Sequence, residues 1–478
     1  MASIKKNFFY SSILTTANYI FPFITYPYVS RVLGVTNIGI CNFVDSIINY
    51  FILFSMMGIG TIGIREIARC KDKEERDRVF SSLFVLNTLS TTIVAVVLAV
   101  AVLCIPKLYG YKELMFFGAL KLIGNYLLVE WLYRGIEDFK FITIRTIIVK
   151  VFYVISVFIF VRDQSDYTVY YLLLSLMVVV NALINIVYTR KFVSITFSGL
   201  TLLPYLKPFL ILGGYLLLTS MYTSFNVAYL GFEAGETEVG YYTTATKLYS
   251  ILLALFTAFT TVLLPRMSHL IGENKLDDFK QLLDKSIDIL LAFSMPLIIL
   301  STIMAPQIIS IISGNGYEGA ILPMRIVMPL MLVIGYEQIL VVQTLTPLKK
   351  DRTILINSIV GACIGILMNV LLVRKFQSIG SSIVWVMSEI SVLCCAQYFV
   401  TKYIKIKFPV KKTFVSIIYN LPLLFIVYLI AEFHIGNDII QLVIASIVSF
   451  VYSFILQFYV MKNNILVSFV LKTLKIRH

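Results

Sequence analysis

The sequence predicts an all-α polytopic membrane protein with about fourteen transmembrane helices. Of its 478 residues, 59% are hydrophobic and 14% are charged, and the mean hydropathy is +0.89. Soluble globular proteins are about 45–50% apolar and about 25% charged. The apolar residues fall into long runs, and no loop between these runs is long enough to form a soluble domain. The bulk of this chain is therefore expected to lie in a lipid bilayer.

Each apolar run has the length that one membrane crossing needs. A bilayer core is about 30 Å thick and requires about 20 apolar residues per helix. Because backbone polar groups in lipid must be satisfied within the segment, these runs are predicted to be helices. The fourteen predicted spans centre on residues 8–30, 37–62, 80–104, 114–134, 141–161, 168–189, 206–230, 239–263, 287–306, 320–344, 354–373, 379–401, 413–431 and 439–460.

The beginning of the chain predicts an uncleaved first helix. Lys5 and Lys6 precede an apolar run that is longer than the core of a signal peptide, and no small-residue cleavage site follows it. The six cysteines lie in or beside apolar runs without metal-ligand spacing. We interpret them as small hydrophobic residues and not as a disulfide framework.

The lysines and arginines predict the orientation of the chain. With the N-terminus placed in the cytoplasm, 30 of the 40 basic residues fall on cytoplasmic segments, 6 on the opposite side and 4 within spans. Such an asymmetry predicts that both termini are cytoplasmic. The same cytoplasmic lysines and arginines account for the formal charge of +14. Nucleic-acid binding is therefore not needed to explain this charge.

Two pairs of residues recur at the same spacing in the two halves of the chain. Gly39 and Arg65 are 26 residues apart, as are Gly240 and Arg266. Glu130 and Arg145 are 15 residues apart, and this spacing recurs about 200 residues later in the second half. Internal duplication is common in transporters, whose substrate sites lie at the interface between the repeats.

The repeat length predicts two six-helix lobes related by a pseudo-two-fold axis along the membrane normal. Residues 1–198 would form the N-lobe with spans 1–6, and residues 199–402 the C-lobe with spans 7–12. Residues 403–478 would add a helix pair, spans 13 and 14, and a cytoplasmic tail.

Charged residues within spans are the candidates for function, because placing a charge in lipid is costly. The cations are Arg31 at the outer end of span 1 and, within spans, Lys121, Lys150, Lys247 and Arg325. These five are the candidate substrate-binding residues of a cationic cavity. Four of them, Arg31, Lys121, Lys247 and Arg325, lie in the outer half of the predicted spans, where Asp45 is the single carboxylate. A net positive cavity concentrates anions. This pattern favours a phosphate-bearing or acidic substrate.

Three acids within spans are candidate coupling or gating carboxylates: Asp45, Glu337 and Glu389. Asp45 could either pair with a cation or titrate as a coupling group, and Glu337 and Glu389 could form either a structural pair or a gate. A fourth acid, Glu130, is expected to pair with Arg134 one turn later on the same helix.

Other classes of chemistry find no support in the sequence. It contains no Gly-x-x-x-x-Gly-Lys-Ser/Thr phosphate loop. Its three histidines lie outside the predicted spans, and we find no nucleophile–base pair and no metal-ligand cluster. We therefore expect a protein that is not an enzyme and that needs no cofactor or metal.

Several motifs resemble one transporter family along nearly the whole chain. They are Tyr26-Pro-Tyr-Val-Ser-Arg31-Val-Leu-Gly34, Gly39, Asp45, Gly63-Ile-Arg65-Glu66-Ile-Ala-Arg69, Trp131-Leu-Tyr-Arg-Gly135-Ile-Glu-Asp-Phe-Lys140 and Gly231 through Lys247. In order and spacing they resemble Wzx-type oligosaccharide flippases of the multidrug/oligosaccharidyl-lipid/polysaccharide exporter superfamily.

The resemblance implies a flippase for an undecaprenyl-pyrophosphate-linked oligosaccharide. Such a protein moves its substrate from the cytoplasmic to the outer leaflet of a bacterial plasma (inner) membrane by alternating access, for O-antigen, capsule or teichoic acid synthesis. The resemblance also implies that Arg31 and Lys247 lie near the pyrophosphate, that spans 13 and 14 hold the polyprenyl tail, and that the polysaccharide polymerase and export machinery are partners.

Three alternatives remain open at this point. A cation-coupled multidrug exporter of the same superfamily would need an acidic cavity, which this basic outer half disfavours. A lipid II flippase would share the basic cavity and the appended helices. A membrane glycosyltransferase or polymerase would need a large extracytoplasmic loop or an acid–base site, and neither is visible in the sequence.

Overall fold

Helices account for nearly all of the described structure. The computed structural model of the chain describes residues 4–221, 224–433 and 436–460. Within these ranges no strand occurs, and the prediction of an all-α polytopic membrane protein is confirmed. The predicted cytoplasmic tail after residue 460 lies outside the described residues.

The structure contains 11 described helices that are long and apolar enough to cross a membrane, or 12 if one bent pair is a single span. Two of these are unusually long: α1 (Ile4–Met56) has 53 residues and α16 (Asp351–Ile404) has 54. At 1.5 Å per residue, the helical path of each adds up to about 80 Å, which is more than the thickness of two bilayer cores. Each also contains a non-helical residue, Gly34 or Gln377. Each of these two helices is long enough for two membrane crossings. The predicted total of fourteen transmembrane helices nevertheless stays a prediction.

The chain forms two compact units, residues Met1–Gly240 and Tyr241–His478. The first unit contains α1, α2 (Ile59–Arg69), α3 (Lys73–Cys104), α4 (Pro106–Gly110), α5 (Lys112–Leu127), α6 (Glu130–Gly135), α7 (Phe139–Phe160), α8 (Tyr167–Thr189), α9 (Leu203–Ser220), α10 (Ser224–Ala234) and the start of α11 (Glu236–Gly272). The second contains the rest of α11, α12 (Leu276–Ile303), α13 (Ala305–Ser313), α14 (Ile321–Val327), α15 (Leu330–Leu340), α16, α17 (Val410–Glu432) and α18 (Asp438–Ile455). The three-part division into lobes and an appended pair stays a prediction.

The first long helix turns at a glycine. Pro22 and Pro27 lie inside α1, yet the backbone leaves the helical conformation at Gly34, with φ 75° and ψ 168°. A positive φ is costly for residues with a Cβ atom, and glycine adopts it readily. Gly34 therefore separates the segment that carries Arg31 from the segment that carries Asp45.

Each unit has its own apolar core. In the first unit, Phe80 stacks on Trp131 with ring centroids 5.3 Å apart, and both side chains are buried with Ile62 and Tyr133. In the second, buried side chains from α12, α15 and α16 pack together. Other helix faces expose large apolar side chains, as expected for surfaces in contact with lipid. On α3, Val96 and Leu103 are 58% and 71% exposed.

Two glycines allow α1 and the start of α11 to approach each other closely within the first unit. A Cβ atom on Gly39 would lie 1.7 Å from the carbonyl oxygen of Glu236, and one on Gly240 would lie 2.2 Å from the carbonyl oxygen of Val35. Thr36 and Thr237 hydrogen-bond across the same junction at 2.9 Å. The contact is therefore made by backbone, which cannot move aside as a flexible side chain can.

We expect Gly39→Ala to destabilise this junction by about 1–3 kcal/mol, because the new methyl group would overlap a backbone carbonyl group. Thermal unfolding of purified protein in detergent measures the effect as a lower Tm. Gly60→Ala is the matched control, since a Cβ atom on Gly60 meets nothing within 4 Å. Equal Tm values for the two variants would contradict the close approach at Gly39.

Candidate functional site

Asp45 and Lys121 form an ion pair inside the first unit. Asp45 lies on α1 after the bend, Lys121 lies on α5, and the carboxylate Oδ1 is 2.5 Å from the ammonium Nζ. Asn49, one turn after Asp45, accepts from Lys121 at 3.2 Å and donates to Asp45 at 3.0 Å. The Tyr171 hydroxyl on α8 donates to the same carboxylate at 3.3 Å. This network holds three helices together and compensates both charges.

The other two candidate cations of the first unit lie elsewhere. The Lys150 ammonium on α7 donates to Asn18 Oδ1 on α1 at 2.6 Å and lies 5.9 Å from the centroid of the Phe21 ring. Its positive charge has an amide and an aromatic face beside it, and no carboxylate contacts it among the ion pairs of the described residues. Arg31 is exposed on α1, three residues before the bend at Gly34.

Glu130 is held by two arginines. The expected pair with Arg134 is present at 3.2 Å, and the nearly fully buried Arg145 makes a second and shorter contact at 2.8 Å. Arg145 also donates to the hydroxyl of Thr146 at 2.8 Å. The 15-residue spacing between Glu130 and Arg145 is therefore the spacing of a buried structural ion pair.

A second charged cluster, which was not predicted from the sequence, lies in the first unit. The ammonium group of Lys107, on α4, lies 3.1 Å from the carboxylate of Glu236 at the start of α11. It also donates to the carbonyl group of Gly231 and lies 5.2 Å from the Phe43 ring centroid. Burial and the neighbouring Glu236 raise the pKa of Tyr111 above its ordinary value. This ion pair connects α4 to the start of α11, next to the glycine-mediated contact between α1 and α11.

Glu337 and Glu389 meet in the second unit. Their side chains, on α15 and α16, are near enough to interact with each other. The indole nitrogen of Trp385 donates to Glu389 Oε1 at 2.9 Å, and Glu389 is 4% exposed. Two carboxylates in contact cannot both remain charged without a proton or a cation between them.

A buried tyrosine adds an unused polar group to this pair. Tyr249 on α11 is 1% exposed, and its ring packs against Trp385 with centroids 5.0 Å apart. Its hydroxyl lies close enough to both Glu389 and Glu337 to interact electrostatically, yet it has no hydrogen-bond partner among the described residues. The two carboxyl groups and this hydroxyl therefore place three oxygen-bearing side chains in one buried region.

The remaining predicted cations lie in the second unit. Arg325 on α14 donates through Nε to the carbonyl group of Thr302 at 3.1 Å. Thr302 is next to the last residue of α12, so Arg325 satisfies a carbonyl group that the end of a helix leaves open. Lys247 is half-buried on α11, two residues before Tyr249. In the part of the chain that the structure describes, no group of three or more His, Cys, Asp or Glu residues could hold a metal ion.

The Asp45–Lys121 pair makes a testable prediction. We expect Asp45→Asn and Lys121→Met each to lower the stability of the protein, because each leaves one charge in the bilayer without its partner. The double variant should lose less than the sum of the two, with a coupling free energy of about 0.5–3 kcal/mol. Denaturant or thermal unfolding of the four proteins measures this cycle, and additive losses would contradict the pairing.

Comparison with known families identifies the chain over more than half its length. Residues 4–271 match the family described as "Polysaccharide biosynthesis protein", and residues 211–371 match the MatE family.

Two relatives have the same description. A "Putative O-antigen transporter" of Escherichia coli (strain K12) is 25% identical over 399 residues, which cover 81% of this chain and 94% of the relative. A "Putative O-antigen transporter" of Shigella dysenteriae is 29% identical over 275 residues, which cover 56% and 68%.

Solved structures share the fold. The "Lipid II flippase MurJ, inward closed conformation" has a TM-score of 0.77 at 15% identity, covering 94% of this chain and 99% of that one. A multidrug resistance MATE family transporter of the MOP superfamily has a TM-score of 0.52 at 15% identity, covering 82% and 95%. The resemblance seen in the sequence motifs is confirmed: this chain belongs to the polysaccharide biosynthesis protein family, the Wzx-type flippases of the multidrug/oligosaccharidyl-lipid/polysaccharide exporter superfamily.

Proposed function

We propose that this protein is a flippase for a lipid-linked polysaccharide precursor, with undecaprenyl pyrophosphate as the lipid carrier. It moves the precursor from the cytoplasmic to the outer leaflet of a bacterial plasma membrane by alternating access. The observation that carries the proposal is the match to putative O-antigen transporters, which covers 81% of the chain and 94% of the longer-matched relative. A match of this extent includes the residues of both compact units.

The chemistry of the substrate explains why a protein is needed. A pyrophosphate sugar cannot cross about 30 Å of hydrocarbon unaided, because its charges and hydroxyl groups would lose their hydration. The lipid tail has no such difficulty. The protein therefore has to supply polar contacts for the head group alone.

We assign the head-group contacts to the candidate cations. Arg31, Lys150 and Lys247 are the three whose side chains we expect to attract the pyrophosphate, and Lys150 has a neutral amide as its described polar partner. We assign Lys121 and Arg325 a secondary role in binding, because Lys121 is paired with Asp45 and Arg325 donates to the carbonyl group of Thr302. Arginine offers planar bidentate contacts to phosphate oxygens, and lysine offers a compact charge.

The Glu337–Glu389 pair is the site we propose for coupling to an ion gradient. Its two carboxyl groups can release or take up one proton or cation, and the Tyr249 hydroxyl offers a further ligand. Asp45 is the less suitable coupling group, since Lys121 already compensates its charge. Membrane potential could add to the driving force, at about 2.3 kcal/mol per charge per 100 mV.

Complementation tests the proposed function. In a bacterial strain that lacks its own O-antigen transporter, we expect this protein to restore surface polysaccharide. Lys247→Ala should reduce the restored polysaccharide at least about tenfold if its charge contributes about 1.4 kcal/mol or more, whereas Lys247→Arg should retain most of it. Lys73→Ala, at the exposed start of α3, is the control for removal of a lysine. No restoration by a folded wild-type protein, across strains with different sugars, would contradict the proposal.

The carboxylate pair makes a separate prediction. In proteoliposomes, an imposed proton gradient should accelerate translocation by the wild type, and Glu337→Gln and Glu389→Gln should each abolish this acceleration, because an amide cannot exchange a proton. Glu113→Gln changes an exposed carboxylate in the first turn of α5 and should leave the response intact. If both pair variants respond to the gradient as the wild type does, the pair has no coupling role.

A further inference from the structure

A cavity of about 550 Å³ opens on the second unit, away from the carboxylate pair. Its walls come from the second and third turns of α12 and from the segment Ile406–Pro409 together with the start of α17. Leu283 and Ile287 form part of the apolar wall on α12, and Phe408 and Val410 form the opposite part. The cavity is formed by one unit alone, so its shape does not depend on the other unit.

The polar lining of this cavity is predominantly basic. Lys280, Lys407 and Lys411 line it with exposed side chains, and none of the three takes part in the ion pairs of the described residues. A fourth lysine, Lys412, is placed differently, because its ammonium group lies 2.6 Å from Asp284 and 2.8 Å from Asp288.

The ion pairs of Lys412 leave the lining of the cavity with a net positive charge. Asp284 lines the cavity and Asp288 lies one turn further along α12, outside its lining, and the Lys412 ammonium group contacts both. The lining therefore holds four lysines and one aspartate, and the three lysines without a carboxylate contact are left to attract an anion. The same ion pairs also connect α17 to α12 at the cavity.

The position of the cavity along the helices points to a lipid. Leu276–Ile303 and Val410–Glu432 both qualify as membrane spans, and the cavity lies at the ends of both that are predicted to be cytoplasmic. Just beyond it, the exposed Phe414 (62%) and Ile417 (45%) continue as an apolar surface along α17. A ligand with a phosphate group at the cavity and acyl chains along this surface satisfies both features.

We propose that this cavity binds the head group of an anionic phospholipid of the surrounding bilayer, with the phosphate contacting Lys280, Lys407 and Lys411. Lysines near the cytoplasmic surface also serve orientation, but that role needs no cavity. Anionic lipids concentrate in the cytoplasmic leaflet and attract clustered basic residues. The proposal concerns a lipid of the membrane and does not rest on the proposed substrate. The helix α17 is predicted span 13, one of the two spans that the family resemblance assigns to the polyprenyl tail.

Native mass spectrometry of the full chain in detergent tests the proposal with dioleoyl phosphatidylglycerol and dioleoyl phosphatidylethanolamine as probes. We expect the wild type to prefer the phosphatidylglycerol, and K280Q/K407Q/K411Q to bind it about tenfold or more weakly, with little change for phosphatidylethanolamine. The triple variant K280R/K407R/K411R should keep the preference. K71Q/K73Q/K285Q removes three exposed lysines that do not line the cavity and should also keep it.

Two results would overturn the proposal. Equal loss of phosphatidylglycerol binding in both glutamine triple variants would assign the effect to net charge and not to the cavity. Displacement of phosphatidylglycerol by inorganic phosphate or glycerol 3-phosphate at similar concentrations would make this a site for free anions. A lipid preference lost only in K280Q/K407Q/K411Q and restored by arginine would confirm the lipid site.

Discussion

A charged side chain in the hydrocarbon core is stable only if another group of the protein compensates it, and this constraint governs where the chain places its transmembrane charges. In the first unit the compensation is complete for the acids: Asp45 contacts Lys121, and Glu130 contacts Arg145. These pairs link α1 to α5 and α6 to α7. Charges that would be costly alone thereby become contacts that fix the helices.

In the second unit, the Glu337–Glu389 pair is an exception, because an acid lies beside another acid and not beside a cation. This exception is the basis of the proposed coupling site. Glu337 has the same place in its repeat as Glu130, 15 residues before an arginine. Arg352, however, is exposed and forms no ion pair in the part of the chain that the structure describes. Glu337 meets a second acid, Glu389, instead. The acid at this repeat position therefore contacts an arginine in the first unit and another acid in the second.

The fold was largely predictable because each transmembrane helix is encoded by about 20 consecutive, mostly apolar residues. The predicted run 206–230 corresponds to α9 and α10, and the run 413–431 corresponds to α17. The turn within α1 was harder to locate. Pro22 and Pro27 lie earlier in this helix, but neighbouring helices can satisfy the backbone groups that a proline frees. The backbone turns instead at Gly34, which has a positive φ.

The charged residues of the candidate site could be predicted from the sequence, but which side chain contacts which could not. The cost of a charge in lipid singled out Asp45, Lys121, Glu337 and Glu389 from sequence alone. Asp45 and its partner Lys121 are 76 residues apart in the sequence, and Glu337 and Glu389 are 52 residues apart. No local spacing of residues predicts contacts over such distances. Lys107 and Glu236 were missed for a related reason, since each lies near the end of a span, where a charge is inexpensive.

The most direct test of the account is translocation by the purified protein in liposomes that contain a fluorescent undecaprenyl-pyrophosphate oligosaccharide. We predict that the wild-type protein moves this lipid between leaflets faster than protein-free liposomes do, and that it does not transport ethidium. No acceleration by folded protein with any of several glycans, together with ethidium transport, would contradict the account and indicate a multidrug exporter.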